Sequence, residues 1–264
     1  MRLATFLAPG SPTARAGEVR VDEQRVVAFA DDTLTVLDLI SGAERPPADG
    51  RAYALAEVTL LAPIARPRAI FGIGLNYADH IAETGGTRPE RPLVFMKLPS
   101  SAAAPNAAVS CPPVVRRLDY EGELAVVMGP GGAVAGYAVA DDVSARDLQG
   151  REPQWTRAKG ADGFCPYGPW ITTVEEISDP HALALRTFVN GELRQNSSTS
   201  NLIFGVSELV AFIGETCTLE PGDLILTGTP GGVGMALDPP RFLTSGDVVR
   251  IEIERLGSIE HAIA

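Results

Sequence analysis

Glycine and proline punctuate this chain from end to end, 27 and 21 among 264 residues, and leave only short ordered stretches between them. Both weaken helix interiors and mark turns, one through conformational freedom, the other through a missing N–H and a fixed φ. A chain interrupted this often folds as many short strands with few helices. Residues 68–75, 92–97, 123–129, 136–140, 223–227 and 247–254 read as strands bounded by turn residues. The last of them alternates apolar and polar side chains, as a strand with one wet face should. One longer amphipathic helix is expected over residues 200–215, where Leu202, Ile203, Val206, Leu209, Val210 and Ile213 recur at helical spacing behind Ser200 as N-cap. A shorter helical turn is expected over residues 77–83. The expected class is therefore β-rich α+β, a roll or barrel rather than a doubly wound sheet. The proline-containing stretch 62–67 reads as a boundary between a small β-like N-terminal segment, residues 1–65, and a larger unit, residues 66–264, that carries nearly every chemical candidate.

Composition narrows the partners. A chain that is 45% hydrophobic can fill a core, and wholesale disorder is excluded. No apolar run approaches the ~18–20 residues of a membrane span, and the apolar start breaks at Pro9-Gly10, too early for a secretory signal. The net charge of −11 lacks the basic footprint a nucleic acid needs. It does not exclude a small anionic substrate, because a local field or a bound cation can reverse the sign inside a pocket. Cys111, Cys165 and Cys217 fit neither a disulfide framework nor a paired metal motif, which points to a reducing cytoplasm. The sequon Asn196-Ser197-Ser198 carries no weight in that compartment. Of the 22 basic residues only Lys97 and Lys159 are lysines. Lysine is a compact point charge with a movable pKa, whereas arginine is planar and permanently charged. The two lysines therefore gain interest when both fall among other candidates.

The strongest constellation is Asp119-Tyr120-Glu121-Gly122-Glu123. On a strand, alternate residues share a face, so Asp119, Glu121 and Glu123 are expected to point the same way. Three like charges on one face imply a solvated edge or a cation. The apolar run that follows Glu123 favours the cation, with Mg²⁺ or Mn²⁺ a better match than Ca²⁺. Asp141-Asp142 follows a second strand-like run, and one of the two is placed to complete a three-carboxylate site while the other faces away. His80 and Glu83 share a face if residues 77–83 are helical, giving a histidine whose proton a carboxylate manages. Gly72-x-Gly74 lacks the third glycine of a dinucleotide fingerprint, since Tyr77 stands there. The glycine-rich stretch 228–234 lacks the Gly-Lys-Ser/Thr of a phosphate loop, but lets backbone N–H groups approach a ligand closely.

From about Arg68 onward the chain resembles the fumarylacetoacetate hydrolase superfamily, in its short branch of acylpyruvases, oxaloacetate decarboxylases and dienoate isomerase/decarboxylases. The resemblance is collinear through Gly74-x-Asn76-Tyr77-x-x-His80, Phe95-Met96-Lys97, Asp119-Tyr120-Glu121-x-Glu123-Leu124 and Asp142-Val143-Ser144-Ala145-Arg146-Asp147. It continues through Lys159-Gly160, Phe164-Cys165-Pro166-x-Gly168-Pro169-Trp170, Val189-Asn190-Gly191, Gln195 and Leu226-Thr227-Gly228-Thr229-Pro230-x-Gly232-Val233-Gly234. The resemblance implies a fumarylacetoacetase-type β-roll, usually a homodimer, with Mg²⁺ or Mn²⁺ held by Glu121, Glu123 and Asp142. It implies His80 and Glu83 as a water-activating dyad on a lid segment, and Lys159 beside the developing negative charge. Arg146, Gln149 and Thr229 are implied near the substrate's carboxylate and oxo groups. The implied activity is metal-dependent cleavage of a C–C bond in a 2,4-dioxo acid through a stabilised enolate. The dyad favours hydrolysis. Decarboxylation of an oxaloacetate-like acid and isomerisation of a hydroxydienoate are the alternatives on the same site. A non-catalytic ligand-binding relative is the alternative of another class.

Overall fold

The computed structural model describes residues 1–44, 46 and 48–264. In the first part of the chain come β1 (Arg2–Leu7), β2 (Ala14–Arg20), β3 (Arg25–Phe29), α1 (Val36–Ile40), β4 (Ala48–Ala54) and β5 (Thr59–Leu60). They are followed by β6 (Ile70–Gly74), α2 (Ala78–Thr84), β7 (Leu93–Lys97), β8 (Ala102–Ala103), β9 (Leu118–Asp119), β10 (Gly122–Met128) and β11 (Val134–Asp141). Next are β12 (Ser144–Ala145), α3 (Arg146–Gln149), α4 (Thr156–Lys159), β13 (Cys165–Thr173), β14 (Ala184–Val189) and β15 (Glu192–Ser198). The chain closes with α5 (Val206–Gly214), β16 (Leu224–Leu226), β17 (Val248–Ile253) and β18 (Gly257–Ala262).

Among the described residues, twelve strands join one sheet in the order β4-β3-β2-β1-β13-β11-β10-β16-β6-β7, with β5 on β1 and β8 on β13. A second sheet runs β15-β14-β17-β18, and β9 pairs with β12. The strand-rich class expected from the punctuated sequence is the one observed.

The centre of the large sheet explains its own sequence. Every residue of β10 is buried. Leu124, Val126 and Met128 enter one core with Leu185 and Ile251 of the four-stranded sheet. Ala125 and Val127 enter another, with Phe29 and with Val36 and Ile40 of α1. A strand covered on both faces has no wet side and reads as a continuous apolar run. Each Leu or Val so buried contributes about 1.5–3 kcal/mol. In β17, by contrast, Val249, Ile251 and Ile253 are buried while Val248 and Arg250 are exposed, the alternation of a one-sided strand. The N-terminal segment extends the same large sheet, since Leu3 of β1 registers with Ile171 of β13.

One element differs from expectation. The helix starts at Val206, not near Ser200, and its N-cap is Gly205. The preceding residues are drawn elsewhere. Leu202 bridges to Tyr77, Ile203 donates its N–H to the Asn76 carbonyl, and Phe204 donates its own to Asn76 Oδ1. His181 Nε2 then accepts the Val206 N–H at 3.0 Å. Ser198, rather than Ser200, caps a short 3₁₀ turn over Thr199–Asn201. Apolar periodicity continued across a stretch whose backbone hydrogen bonds are claimed by a distant asparagine.

Candidate active site

The carboxylate cluster follows from sheet register. β10 and β11 form an antiparallel pair with Gly122 opposite Asp141, and the Asp142 N–H donates to the Glu121 carbonyl at 2.9 Å. Asp142 is thereby set beside Glu121, and the two-residue period places Glu123 on the same face. Glu121, Glu123 and Asp142 are all buried, and one carboxylate oxygen from each lies within 4.8 Å of the others. Asp141 faces away, as one of that pair was expected to. Its carboxylate pairs with buried His261 Nε2 at 2.8 Å and accepts the Glu121 N–H at 2.8 Å.

Asp119 does not join the cluster. The strand breaks between β9 and β10, so the face alternation does not carry through Tyr120. Asp119 instead accepts Arg146 Nε at 2.9 Å and the N–H groups of Gly234 at 2.8 Å and Met235 at 3.0 Å. It ties the glycine-rich loop to the arginine. Its burial raises its pKa, against the pull of Arg146.

Both lysines of the chain reach this cluster. Lys97 Nζ lies 2.6 Å from Asp142 Oδ1, and Lys159 Nζ lies 2.7 Å from both Asp142 Oδ2 and Glu121 Oε2. Arg146 Nη1 adds a contact of 2.6 Å to Glu121 Oε1. Glu121 and Glu123 consequently differ. Burial acts to raise the Glu121 pKa, but Lys159 and Arg146 outweigh it and hold the group at about 2. Burial and then the charges of Asp142 and Glu121 push Glu123 well above the usual carboxylate range. Lys159 runs the other way: burial opposes its charge, yet Asp142 and Glu121 raise its pKa, so it stays an ammonium. The hydrogen bond that Glu123 Oε2 accepts, from the Gly228 N–H at 2.6 Å, comes from a neutral donor. Gly228 has a φ of +101°, a conformation that side chains disfavour.

This donor set fits a hard divalent cation. It consists of three carboxylates with oxygen atoms in mutual reach and no sulfur or nitrogen among them. Glu123, a carboxylate that burial and like charges drive toward its neutral form, is where an added positive charge would relieve the most repulsion.

His80 projects from α2 with its Nδ1 3.5 Å from Glu83 Oε2. Both Glu83 oxygens accept the Gly232 N–H, at 2.9 and 3.0 Å, which fixes the helix to the glycine-rich loop. Thr229 donates its hydroxyl to the Gly122 carbonyl at 3.0 Å and accepts Gln195 Nε2 at 2.8 Å. Gln149 accepts from Arg146 Nη1 at 2.9 Å. His80, Glu121, Arg146, Gln149, Lys159 and Thr229 line one cavity of about 40 Å³. Glu83, Glu123 and Asp142 support it without lining it. Surface hollows of about 580 and 700 Å³ are lined by none of these nine residues. Arg146 lines the cavity, and its Nη2 is buried with no hydrogen-bond partner among the described residues.

Residues 69–264 match the family model described as fumarylacetoacetate (FAA) hydrolase, C-terminal. The chain belongs to the fumarylacetoacetate hydrolase family. A mitochondrial oxaloacetate tautomerase of Rattus norvegicus is 45% identical over 215 residues, spanning 77% of this chain and 69% of its own. The solved fumarylacetoacetate hydrolase of Exiguobacterium antarcticum superposes with a TM-score of 0.88 at 35% identity, covering 100% of this chain and 99% of that one. A 5-carboxymethyl-2-hydroxymuconate delta-isomerase of Mycobacterium smegmatis gives 0.82 at 36% identity, with the same coverages. The named relatives are enzymes, and two of the three are named as a tautomerase and an isomerase rather than as a hydrolase.

Three residues of the site had no assigned role from sequence. Asp141 and His261 support Glu121 from behind. Gln195, from the four-stranded sheet, accepts the Gly122 N–H at 3.0 Å and bridges to Thr229. His261 lies 120 positions from Asp141 with no local signal. Gln195 stands in a recognisable motif whose spacing gives no hint of its partner.

Proposed function

We propose that this chain is a divalent-cation-dependent tautomerase of compact 2-oxo dicarboxylic acids, interconverting the enol and keto forms of an oxaloacetate-like substrate. The observation that carries the reading is the cavity that Arg146, Lys159 and His80 line together with Glu121 of the carboxylate cluster, Arg146 Nη2 being buried without a hydrogen-bond partner among the described residues. The names of the relatives support proton transfer as the reaction class.

Arg146 Nη2 binds the substrate carboxylate by a charge-assisted hydrogen bond, with Gln149 steadying the guanidinium. Lys159, held as an ammonium, stabilises negative charge that grows on the 2-oxo oxygen as the enol proton leaves. His80, with Nδ1 turned to Glu83, exchanges the proton through Nε2. The enol O–H bond breaks and its electron pair becomes part of the carbonyl. The C=C pair takes up a proton at C3 as the new C–H bond. When bound by Glu121, Glu123 and Asp142, Mg²⁺ or Mn²⁺ supplies Lewis-acid stabilisation of the same oxygen.

Hydrolysis, which the His80–Glu83 pair suggests in isolation, needs a water beside the substrate. The relatives named as a tautomerase and an isomerase favour a reaction that needs no such water. The test is to follow loss of enol-oxaloacetate absorbance alongside oxaloacetate decarboxylation and cleavage of acetylpyruvate and fumarylpyruvate. Tautomerisation should be fastest, should stop with a chelator and should return with Mg²⁺ or Mn²⁺. Faster C–C cleavage, or tautomerisation indifferent to the chelator, would overturn the reading.

A further inference from the structure

Two aromatic side chains line the same cavity and take no part in the chemistry above: Phe95 of β7 and Trp155, the residue before α4. Their rings meet edge to face, 5.4 Å between centroids at 64°. Lys159 Nζ sits 5.1 Å from the Phe95 ring centre, and the Lys159 N–H donates to the Trp155 carbonyl at 2.9 Å. One turn of backbone therefore carries both the ammonium and the indole, and both rest on the same phenyl ring.

The room for these rings comes from Gly72-x-Gly74, the motif that failed as a dinucleotide fingerprint. Two residues apart on β6, the glycines share a face. A Cβ at Gly72 would run into the Phe95 ring. One at Gly74 would stand 2.8 Å from Trp155 Cζ3 and 2.6 Å from Leu93 Cδ2. The bare stripe on β6 is what lets the aromatic pair close against the strand. Phe95 and Trp155 are only half-buried, which places the pair at the rim of the cavity.

We infer that Gly72, Gly74, Phe95 and Trp155 form an aromatic end wall that sets the length of acid the cavity accepts. The wall disfavours 2-oxo acids with longer chains relative to short ones. The inference rests on the proposed function for the substrate's head group and adds the specificity of its tail. Arg146, Lys159 and the carboxylate cluster hold the charged end, and a longer chain that extends toward Phe95 and Trp155 meets the indole. A mismatch of one methylene against such a wall is worth about 10–200-fold in discrimination.

The experiment is calorimetric titration of the Mg²⁺-loaded full chain with oxaloacetate, 2-oxoglutarate and 2-oxoadipate, with turnover measured separately on the same preparations. The wild-type chain should bind the six-carbon acid at least about 10-fold more weakly than the four-carbon one. Trp155→Ala should shrink that Kd ratio by about 10-fold, and Trp155→Phe should fall between. Gly74→Ala, which presses on the indole, should widen it. Circular dichroism confirms that each variant is folded, and the Trp155 variants carry the test if Gly74→Ala is not. An unchanged Kd ratio in Trp155→Ala, with turnover lowered equally on every acid, would mean that Trp155 only props Lys159, and would overturn the wall. Wild-type binding without tautomerisation would sink the proposed reaction while the Kd ratios still judged the wall. Binding of none of the three acids would overturn both.

Discussion

The carboxylate cluster and the N-terminal strands belong to one sheet, yet they treat charge in opposite ways. At the cluster, Lys97, Lys159 and Arg146 pair with Asp142 and Glu121 almost wholly out of water. Around β2 and β3, Arg20 and Glu23 are about half exposed at 3.7 Å. Exposed pairs of that kind contribute little, about 0–1 kcal/mol. Burying an ion pair usually fails to improve stability, whereas removing one partner of a buried pair costs about 3–5 kcal/mol. The N-terminal strands thus gain their stability from apolar packing, and the concentrated buried charge marks a place that costs the fold stability, as the proposed reaction would require.

The sharpest way to break that contrast is Glu123→Gln. It removes a carboxylate that the fold disfavours in charged form, so the chelated protein should melt higher than chelated wild type. The same change should abolish Mg²⁺-dependent stabilisation and turnover, a loss of several kcal/mol of transition-state stabilisation. Thermal melts with and without Mg²⁺, beside the tautomerase assay, check both halves; a lower melting point with turnover intact would refute the assignment. His80→Ala should follow, with kcat down about 10²–10⁴-fold and little change in metal-induced stabilisation. Its loss should also exceed that of Glu83→Gln, which leaves the imidazole in place. Lys159→Met comes next, lowering kcat by about 10²–10³-fold if the ammonium stabilises developing charge. A change confined to KM would assign it to binding alone.

The smallest effect belongs to the N-terminal strands' surroundings. Thr35 and Asp38 form a reciprocal cap on α1, and Thr35→Ala should cost about 1 kcal/mol with no effect on turnover. The Thr35 hydroxyl and N–H hold the Asp38 carboxyl below its ordinary 3.8. A group whose pKa is lowered by folding adds stability above that ordinary value and loses it as the pH falls through the lowered one. The cost of Asp38→Asn should therefore be present at pH 7 and fade in strong acid, as measured by urea melts across that range. A cost that grew in acid would contradict the cap.

Much of the site was legible because it lies on one hairpin. Glu121 and Glu123 are two apart at the mouth of an apolar run, and Asp142 follows the return strand, so strand period and antiparallel register bring them together. His80 and Glu83 are legible for the same local reason, three positions apart on a short helix. Asp119 misled, because its face depended on an unbroken strand and the strand is interrupted after Asp119. The helix expected from Ser200 misled because Asn76, more than 120 positions away, takes the backbone groups of Ile203 and Phe204. Gln195 and His261 could be quoted from sequence but not placed, since their partners lie 34 and 120 positions distant.

By itself the amino-acid order determined the strand-rich class, the doubly covered central strand and the local grouping of acidic side chains, since each follows from periods of two or 3.6 residues and from turn chemistry. Only tertiary packing decided which aspartate turns inward, that both lysines converge on Asp142, and that two glycines of β6 make room for an aromatic pair. Those outcomes depend on which distant surfaces meet, and local periodicity holds no information about the far side of a contact.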